Sequence, residues 1–218
     1  RLRSVINDTQ KAVVDIHGRP FLALVLAQLR EAGVSRGVLC AHYRADQLAA
    51  LLPSLEAESG LPLQLVIEET PLGTGGAVLN ALLQVPPGGR YLVLNADTFL
   101  DPCAYRLALD SERDVLVGVQ VDDRSRYGSL DCSALGEVLG FEEKGQVGPG
   151  LINAGVYGFT AGALENMPVT SCSMEHDLLP SLMRQHRLYV CEYSGAFVDI
   201  GTPDSLDAFK SKLRGSAV

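Results

Sequence analysis

Two aspartates stand where an apolar, strand-like run gives way to a turn, a place from which a carboxylate can reach a bound cation. Asp97 lies in Asn95-Ala96-Asp97-Thr98, directly after Tyr91-Leu92-Val93-Leu94. Asp199 sits between apolar residues in Phe197-Val198-Asp199-Ile200-Gly201-Thr202-Pro203. A buried carboxylate without a partner is costly. Two of them meeting at one hard cation such as Mg²⁺ would settle both costs together. Each also fits a plainer role, Asp97 capping the next turn and Asp199 bonding the turn at Gly201.

Further polar groups gather at similar punctuation points. Glu68-Glu69-Thr70-Pro71-Leu72-Gly73-Thr74-Gly75-Gly76 runs from a strand through a turn into a helix. Glycine-rich backbone of this kind can approach a flat ring or a phosphate closely. The segment matches neither the common phosphate loop nor the dinucleotide fingerprint, and a tight turn with acidic flanks explains it equally well. Glu142-Glu143-Lys144-Gly145 closes one strand-like run and Gly150-Leu151-Ile152-Asn153-Ala154-Gly155 opens the next. A glutamate can accept from sugar hydroxyls and a lysine can neutralise phosphate, although a solvated hairpin accounts for the same residues. Arg1, Arg3 and Lys11 are cations able to hold a polyphosphate. Glu175-His176-Asp177 reads as the first turn of a helix, where acids favour the dipole, with His176 partly buried.

The elements that must position these groups alternate through the first half. Phe21, Leu24, Val25, Leu29 and Ala32 predict an amphipathic helix stopped by Gly33. A strand over Gly37–Ala41, a helix from Ala45 ended by Pro53, a strand over Leu63–Glu68, a helix over Gly75–Leu83 and a strand over Tyr91–Asn95 follow. That alternation predicts a mostly parallel sheet flanked by helices, with ligands at the carboxyl ends of its strands. Strand-like runs at Val115–Val121, Tyr127–Leu130, Val138–Glu142 and Ile152–Phe159 predict a smaller, more antiparallel region. Helices over Glu175–Gln185 and Pro203–Lys212 complete the chain, the latter capped by Thr202.

Composition narrows the function classes. The chain has 218 residues, 47% of them hydrophobic, enough for one compact domain with two lobes. A net charge of −8 argues against a nucleic-acid surface while leaving nucleotide substrates open. No apolar run approaches the ~18 residues that span a bilayer, so no membrane partner is expected. Five cysteines, none in a C-x-x-C pair, read as reduced, mostly buried thiols of a cytoplasmic protein without a zinc site.

Eight pieces, taken in order, resemble the sugar-1-phosphate nucleotidyltransferase family: R-L-R-S…K-A-V-V-D-I-H-G-R-P-F-L, E-E-T-P-L-G-T-G-G-A, N-A-D-T-F, R-Y-G-S-L, G-F-E-E-K-G, G-L-I-N-A-G-V-Y-G-F, M-E-H-D-L-L-P and F-V-D-I-G-T-P. They cover nearly the whole chain, and their order is far more specific than any one of them. Within the family, H-G-R-P-F-L, E-T-P-L-G-T-G-G-A, G-L-I-N-A-G-V-Y and M-E-H-D-L-L-P are most similar to the D-glycero-α-D-manno-heptose 1-phosphate guanylyltransferase branch.

The resemblance implies a Rossmann-like α/β fold in a single domain, with residues 1 to about 110 binding nucleotide and about 111 to 218 binding sugar phosphate. It implies a Mg²⁺-dependent reaction in which a sugar 1-phosphate attacks a nucleoside triphosphate, GTP favoured, and pyrophosphate leaves. By family position Asp97 and Asp199 hold the metal. Arg1 steadies the leaving pyrophosphate, Lys11 touches phosphate and Lys144 grips the sugar phosphate. Glu68, Gly73 and Thr74 fall on the nucleotide side, and Gly128, Glu143, Asn153 and Gly155 on the sugar side. The glycine-rich loop that the family carries before the position of Arg1 is not among these residues, and the resemblance implies it in the full protein. Ala12 stands for a usual Pro, and Ala96 and Ala154 for a common Gly, changes tolerated where φ stays negative. Another base, a hexose 1-phosphate, a non-catalytic nucleotide-sugar sensor and a homo-oligomer all remain compatible with the sequence.

Overall fold

The computed structural model describes residues 10–142 and 145–215. The chain order is β1 (Asp15–Ile16), β2 (Arg19–Pro20), α1 (Phe21–Glu31), β3 (Gly37–Ala41), α2 (Ala45–Ser59), β4 (Leu63–Ile67), α3 (Gly73–Gln84), β5 (Tyr91–Leu94), β6 (Thr98–Leu100) and α4 (Pro102–Asp110). There follow β7 (Asp114–Val121), β8 (Ser129–Cys132), β9 (Val138–Glu142), β10 (Gly150–Phe159), a π-type turn at Met174–Leu178, α5 (Leu179–Arg184), β11 (Leu188–Tyr193), β12 (Phe197–Asp199) and α6 (Pro203–Gly215).

Among the described residues the largest sheet runs β11-β7-β10-β8-β9, with β5 also pairing β10. The ten-residue β10 organises it. One edge of β10 pairs with β7 at Gly150 to Asn153 and again at Tyr157 and Gly158. Its other edge is shared end to end, Ile152 pairing Ser129 of β8 and Val156 to Phe159 pairing Leu94 to Tyr91 of β5. These pairings are antiparallel, whereas β3 with β4 and β7 with β11 are parallel. The antiparallel region is therefore the centre of the large sheet rather than an addition to it.

Side-chain alternation sorts two cores onto the two faces. Val115, Val117 and Val119 of β7, with Ile152, Ala154 and Val156 of β10, face a core holding α1, α4 and α6 residues. In that core Phe209 packs edge-to-face on Phe21 at 5.6 Å and tilted on Phe99 at 5.1 Å. Leu116, Tyr157 and Phe159 face a second core with Leu79 of α3 and Leu179 and Leu182 of α5. Helices thus flank both faces, the α/β arrangement that the sequence predicts.

The ends of these elements follow local chemistry. Helix α1 stops where Gly33 takes φ +99°, its amide reaching the Arg30 carbonyl at 3.1 Å. Helix α4 starts with an Asp101 side chain accepting from the Cys103 amide and with Pro102 in its first turn.

Helix α2 does not end at Pro53 but runs through it to Ser59. A proline inside a helix costs about 3 kcal/mol. Full burial of Leu55, a Glu56 carboxylate accepting from the Leu63 amide at 2.8 Å and a left-handed Gly60 cap offset it. All five cysteines carry free thiols, but Cys40 and Cys103 are exposed and the other three half-exposed, so the expectation of mostly buried thiols is corrected. Among the described residues no helix is long and apolar enough to cross a membrane.

Candidate active site

The site forms where β5 and β8 stop short of each other on the shared edge of β10. Between them β10 bulges, its register to β7 shifting between Asn153 and Tyr157. The Asn95 amide donates to the Gly155 carbonyl at 2.9 Å, and the Asn153 amide to the Gly128 carbonyl at 3.1 Å. Gly155 takes φ +71°, and a Cβ there would lie 2.5 Å from Asn95 Nδ2. Asp97, Gly128, Asn153, Gly155, Glu175 and Asp199 all line the resulting cavity of about 120 Å³.

The two aspartates arrive there on paired elements. Strand β12 runs antiparallel to β6 with Asp199 opposite Thr98, and the Asp97 carbonyl accepts from the Ile200 amide at 3.0 Å. Asp199 Oδ1 accepts from the Gly201 amide at 2.6 Å, which is the turn contact expected of it. Asp97 Oδ2 lies 3.6 Å from Lys11 Nζ. Among the described residues no group of three or more His, Cys, Asp or Glu side chains is placed to hold a metal ion. Two aspartates lining one cavity suit a hard cation that takes its remaining oxygens from water and phosphate.

Asp97 and Asn95 also form one wall of a larger cleft of about 590 Å³, which Lys11, Cys40, His42, Tyr43 and Thr74 line as well. Cys40, His42 and Tyr43 carry no functional expectation from the sequence. The rule that ligands gather at strand carboxyl ends points to them, because they close β3. His42 Nδ1 donates to the Glu68 carbonyl at 2.9 Å, which places its proton on that nitrogen. Although Cys40 reaches solvent on the cleft wall, the protein packed round its thiol partly desolvates it and, with the Glu68 carboxylate as a lesser cause, pushes it up to about 11.

The glycine-rich turn has a different neighbour from the one its sequence suggests. A Cβ on Gly73 would lie 2.6 Å from the Cys172 carbonyl oxygen, one on Gly75 2.9 Å from the Ser173 carbonyl carbon and one on Gly76 2.4 Å from the Thr170 carbonyl oxygen. These glycines admit the passing chain of residues 170–173, whose Cys172 carbonyl accepts from both the Gly75 and Gly76 amides. Glu68 is buried and its Oε2 accepts from the Leu72 amide at 2.9 Å, so its carboxylate shapes the turn. Glu68 and Gly73 line neither cavity, whereas Thr74 does.

Thr74 Oγ1 accepts from the Met174 amide at 2.9 Å, tying this turn to the segment that follows. There the side chains of Ser173 and Asp177 both cap the backbone of the turn. Ser173 Oγ accepts from the His176 amide and Asp177 Oδ2 from the Ser173 amide at 2.7 Å. Met174 and Leu178 turn into the core. His176 is exposed rather than partly buried, because those two positions take the inward face. Glu175, read from sequence as a helix-start acid, lines the small cavity, with Oε1 3.4 Å from Asn153 Nδ2. Arg1, Glu143 and Lys144 lie outside the described residues. Ala12, Ala96 and Ala154 are not among the described non-glycine residues with positive φ, as tolerance of these alanines requires.

Known proteins share this chain's sequence and fold. The Nucleotidyl transferase family model matches residues 1–215. D-glycero-alpha-D-manno-heptose 1-phosphate guanylyltransferase of Campylobacter jejuni is 29% identical over 94% of this chain and 90% of its own length. Mannose-1-phosphate guanylyltransferase catalytic subunit beta of Drosophila pseudoobscura is 31% identical over 93% of this chain, which spans 56% of that longer protein. The crystal structure of HddC from Yersinia pseudotuberculosis superposes with a TM-score of 0.85 at 35% identity, covering 98% of this chain and 94% of HddC. A second HddC structure, complexed with GMP-PN, superposes at 0.83 with 34% identity, over 98% of this chain and 94% of that one.

Proposed function

Because this chain belongs to the nucleotidyl transferase family, we propose that it transfers GMP from GTP to a manno-configured sugar 1-phosphate, D-glycero-α-D-manno-heptose 1-phosphate foremost, with pyrophosphate leaving. The observation that carries the reading is Asp97, which lines both the large cleft and the small cavity and so marks the seam between two substrates. The guanylyltransferase relatives and the GMP-PN complex of HddC support the choice of base and of sugar.

The nucleotide takes the large cleft, on the side built by residues 1 to about 110, and the sugar phosphate the small cavity, on the side built by about 111 to 218. Asp97 and Asp199 would hold Mg²⁺, which when bound supplies positive charge to the reacting phosphates. Lys11 neutralises phosphate from the cleft wall, and its ion pair with Asp97 keeps it within reach of that seam. Thr74 contributes a polar group to the nucleotide side, and the buried Glu68, which lines neither cavity, acts on that side by holding the turn beside Thr74. Gly73 lets that turn close against residue 172. Gly128, Asn153 and Gly155 shape the sugar cavity. By their place in the family's motifs, Arg1 is assigned to the pyrophosphate, Glu143 to the sugar hydroxyls and Lys144 to the sugar phosphate. The work is positioning and charge neutralisation more than proton transfer.

A pyrophosphate-release panel tests the reading by crossing GTP, ATP, UTP and CTP with mannose, glucose and manno-heptose 1-phosphates. Release is expected with GTP and the two manno-configured acceptors. Preference for UTP or for glucose 1-phosphate would overturn the specificity. Silence of the full-length protein with every pair would overturn the transferase reading.

A further inference from the structure

We infer that Glu175 is a sugar-reading, specificity-determining residue of this site, its carboxylate accepting a hydrogen bond from a ring hydroxyl of the sugar phosphate. The inference rests on the proposed guanylyl transfer.

The side-chain amide of Asn153 has little left to give. Its Oδ1 accepts from the Gly155 amide at 2.9 Å, and its Nδ2 donates to Tyr157 Oη at 2.9 Å. The other Nδ2 proton points toward Glu175 Oε1 at 3.4 Å. Both donors are thus directed at protein, and Asn153 serves to aim its neighbours. A carboxylate has about four lone-pair positions. One long contact leaves Glu175 most of its capacity, and it is exposed on the wall of the cavity. A sugar is a set of hydroxyl donors, the complement of such a group.

The backbone under Glu175 is made to hold it there. The π-type turn Met174–Leu178 is short, doubly capped by Ser173 and Asp177, and anchored through Met174 and Leu178 in the second core. A π-type turn is an uncommon conformation that recurs at functional sites. The same turn is bonded to Thr74 on the wall of the nucleotide cleft, so its position is fixed against both substrates. Asp177 is spent on the cap and His176 lines neither cavity, which leaves Glu175 as the acid of the Glu-His-Asp triplet that meets a ligand.

The test uses the full-length protein with GTP, mannose 1-phosphate and its 2-, 3-, 4- and 6-deoxy analogues. Wild type is compared with Glu175→Gln and Glu175→Ala. Hydrogen bonds to a charged partner are among the stronger ones, so Glu175→Ala is expected to lower kcat/KM for mannose 1-phosphate about tenfold or more, through KM. KM for GTP stays put, and Glu175→Gln recovers part of the loss because its oxygen still accepts. One deoxy analogue should be poor for wild type yet cost Glu175→Ala nothing further, since the hydroxyl and its acceptor are then both gone. An unchanged KM for mannose 1-phosphate, an equal rise in both KM values, or deoxy penalties identical in wild type and variant would each overturn the inference with guanylyl transfer intact. Wild type that releases no pyrophosphate from GTP with mannose or manno-heptose 1-phosphate removes the premise instead.

Discussion

The bulge at the centre of the site makes a quantitative claim about one glycine. Gly155→Ala would place a methyl carbon 2.5 Å from Asn95 Nδ2, 2.9 Å from Asn95 Cγ and 3.2 Å from Asn95 Cβ. Turning the Asn95 amide away clears the first two contacts but not the third, because Cβ does not move with χ1. Gly155 also holds φ +71°, a left-handed conformation costing an alanine about 1–2 kcal/mol. Overpacking adds about 1–3 kcal/mol, giving about 2–5 kcal/mol in all. Gly60 is the matched control, at φ +65° with nothing within 4 Å of a built Cβ. Gly60→Ala carries the conformational cost alone. The entropy that alanine removes from the unfolded chain, about 0.4–1 kcal/mol, is common to both. Urea unfolding followed by circular dichroism, at unchanged slope, measures the difference. The Gly155 variant should be less stable by about 1–3 kcal/mol than the Gly60 variant, and it alone should lose turnover, since Asn95 lines both cavities. Equal destabilisation of the two variants would refute the close-approach argument.

Asp97→Asn should cut turnover about a hundredfold or more while shifting stability by less than about 1 kcal/mol, because its ion pair with Lys11 is half-exposed and of little structural worth; steady-state kinetics beside thermal unfolding check this, and a matching loss of both would mark Asp97 as structural. With its pKa raised to about 11, the Cys40 thiol is ionised to the order of one part in a thousand at pH 8. Alkylation by iodoacetamide, mapped by mass spectrometry, should therefore be slow at Cys40, rise about tenfold per pH unit up to pH 10 and slow again with GTP in the cleft. Fast modification at pH 7 would contradict a thiol raised by desolvation.

Much of the framework was legible because it rests on short-range signals. The periodic apolar face of α1, its Gly33 stop and the Thr202-Pro203 start of α6 need no tertiary information, and each is where the sequence puts it. Pro53 misled for a reason local rules omit: the energy that keeps α2 going is spent downstream, in the burial of Leu55 and the Glu56 contact to Leu63. The parallel character expected of the sheet was right for β3 with β4, but alternation of strands and helices says nothing of which strand a given strand finds as neighbour. Tyr91–Leu94 found β10, sixty residues on and antiparallel.

The same limit explains why the candidate site was read unevenly. Asp97 and Asp199 were visible because a carboxylate after an apolar run is anomalous in its own neighbourhood. The glycines at 73, 75 and 76 were visible as glycines, yet their reason lies a hundred residues away in the carbonyls of 170–173, so sequence alone offered a ligand where the fold supplies a chain. Glu175 failed in the opposite direction. Locally it is an ordinary acid at a helix start, and three facts that set it apart are long-range or conformational: the π-type winding, the Thr74 anchor and the approach to Asn153. The consequence is physical. A sugar docked against Glu175 would press on a turn bonded directly to Thr74 on the wall of the larger cleft, so the two cavities are joined by protein atoms.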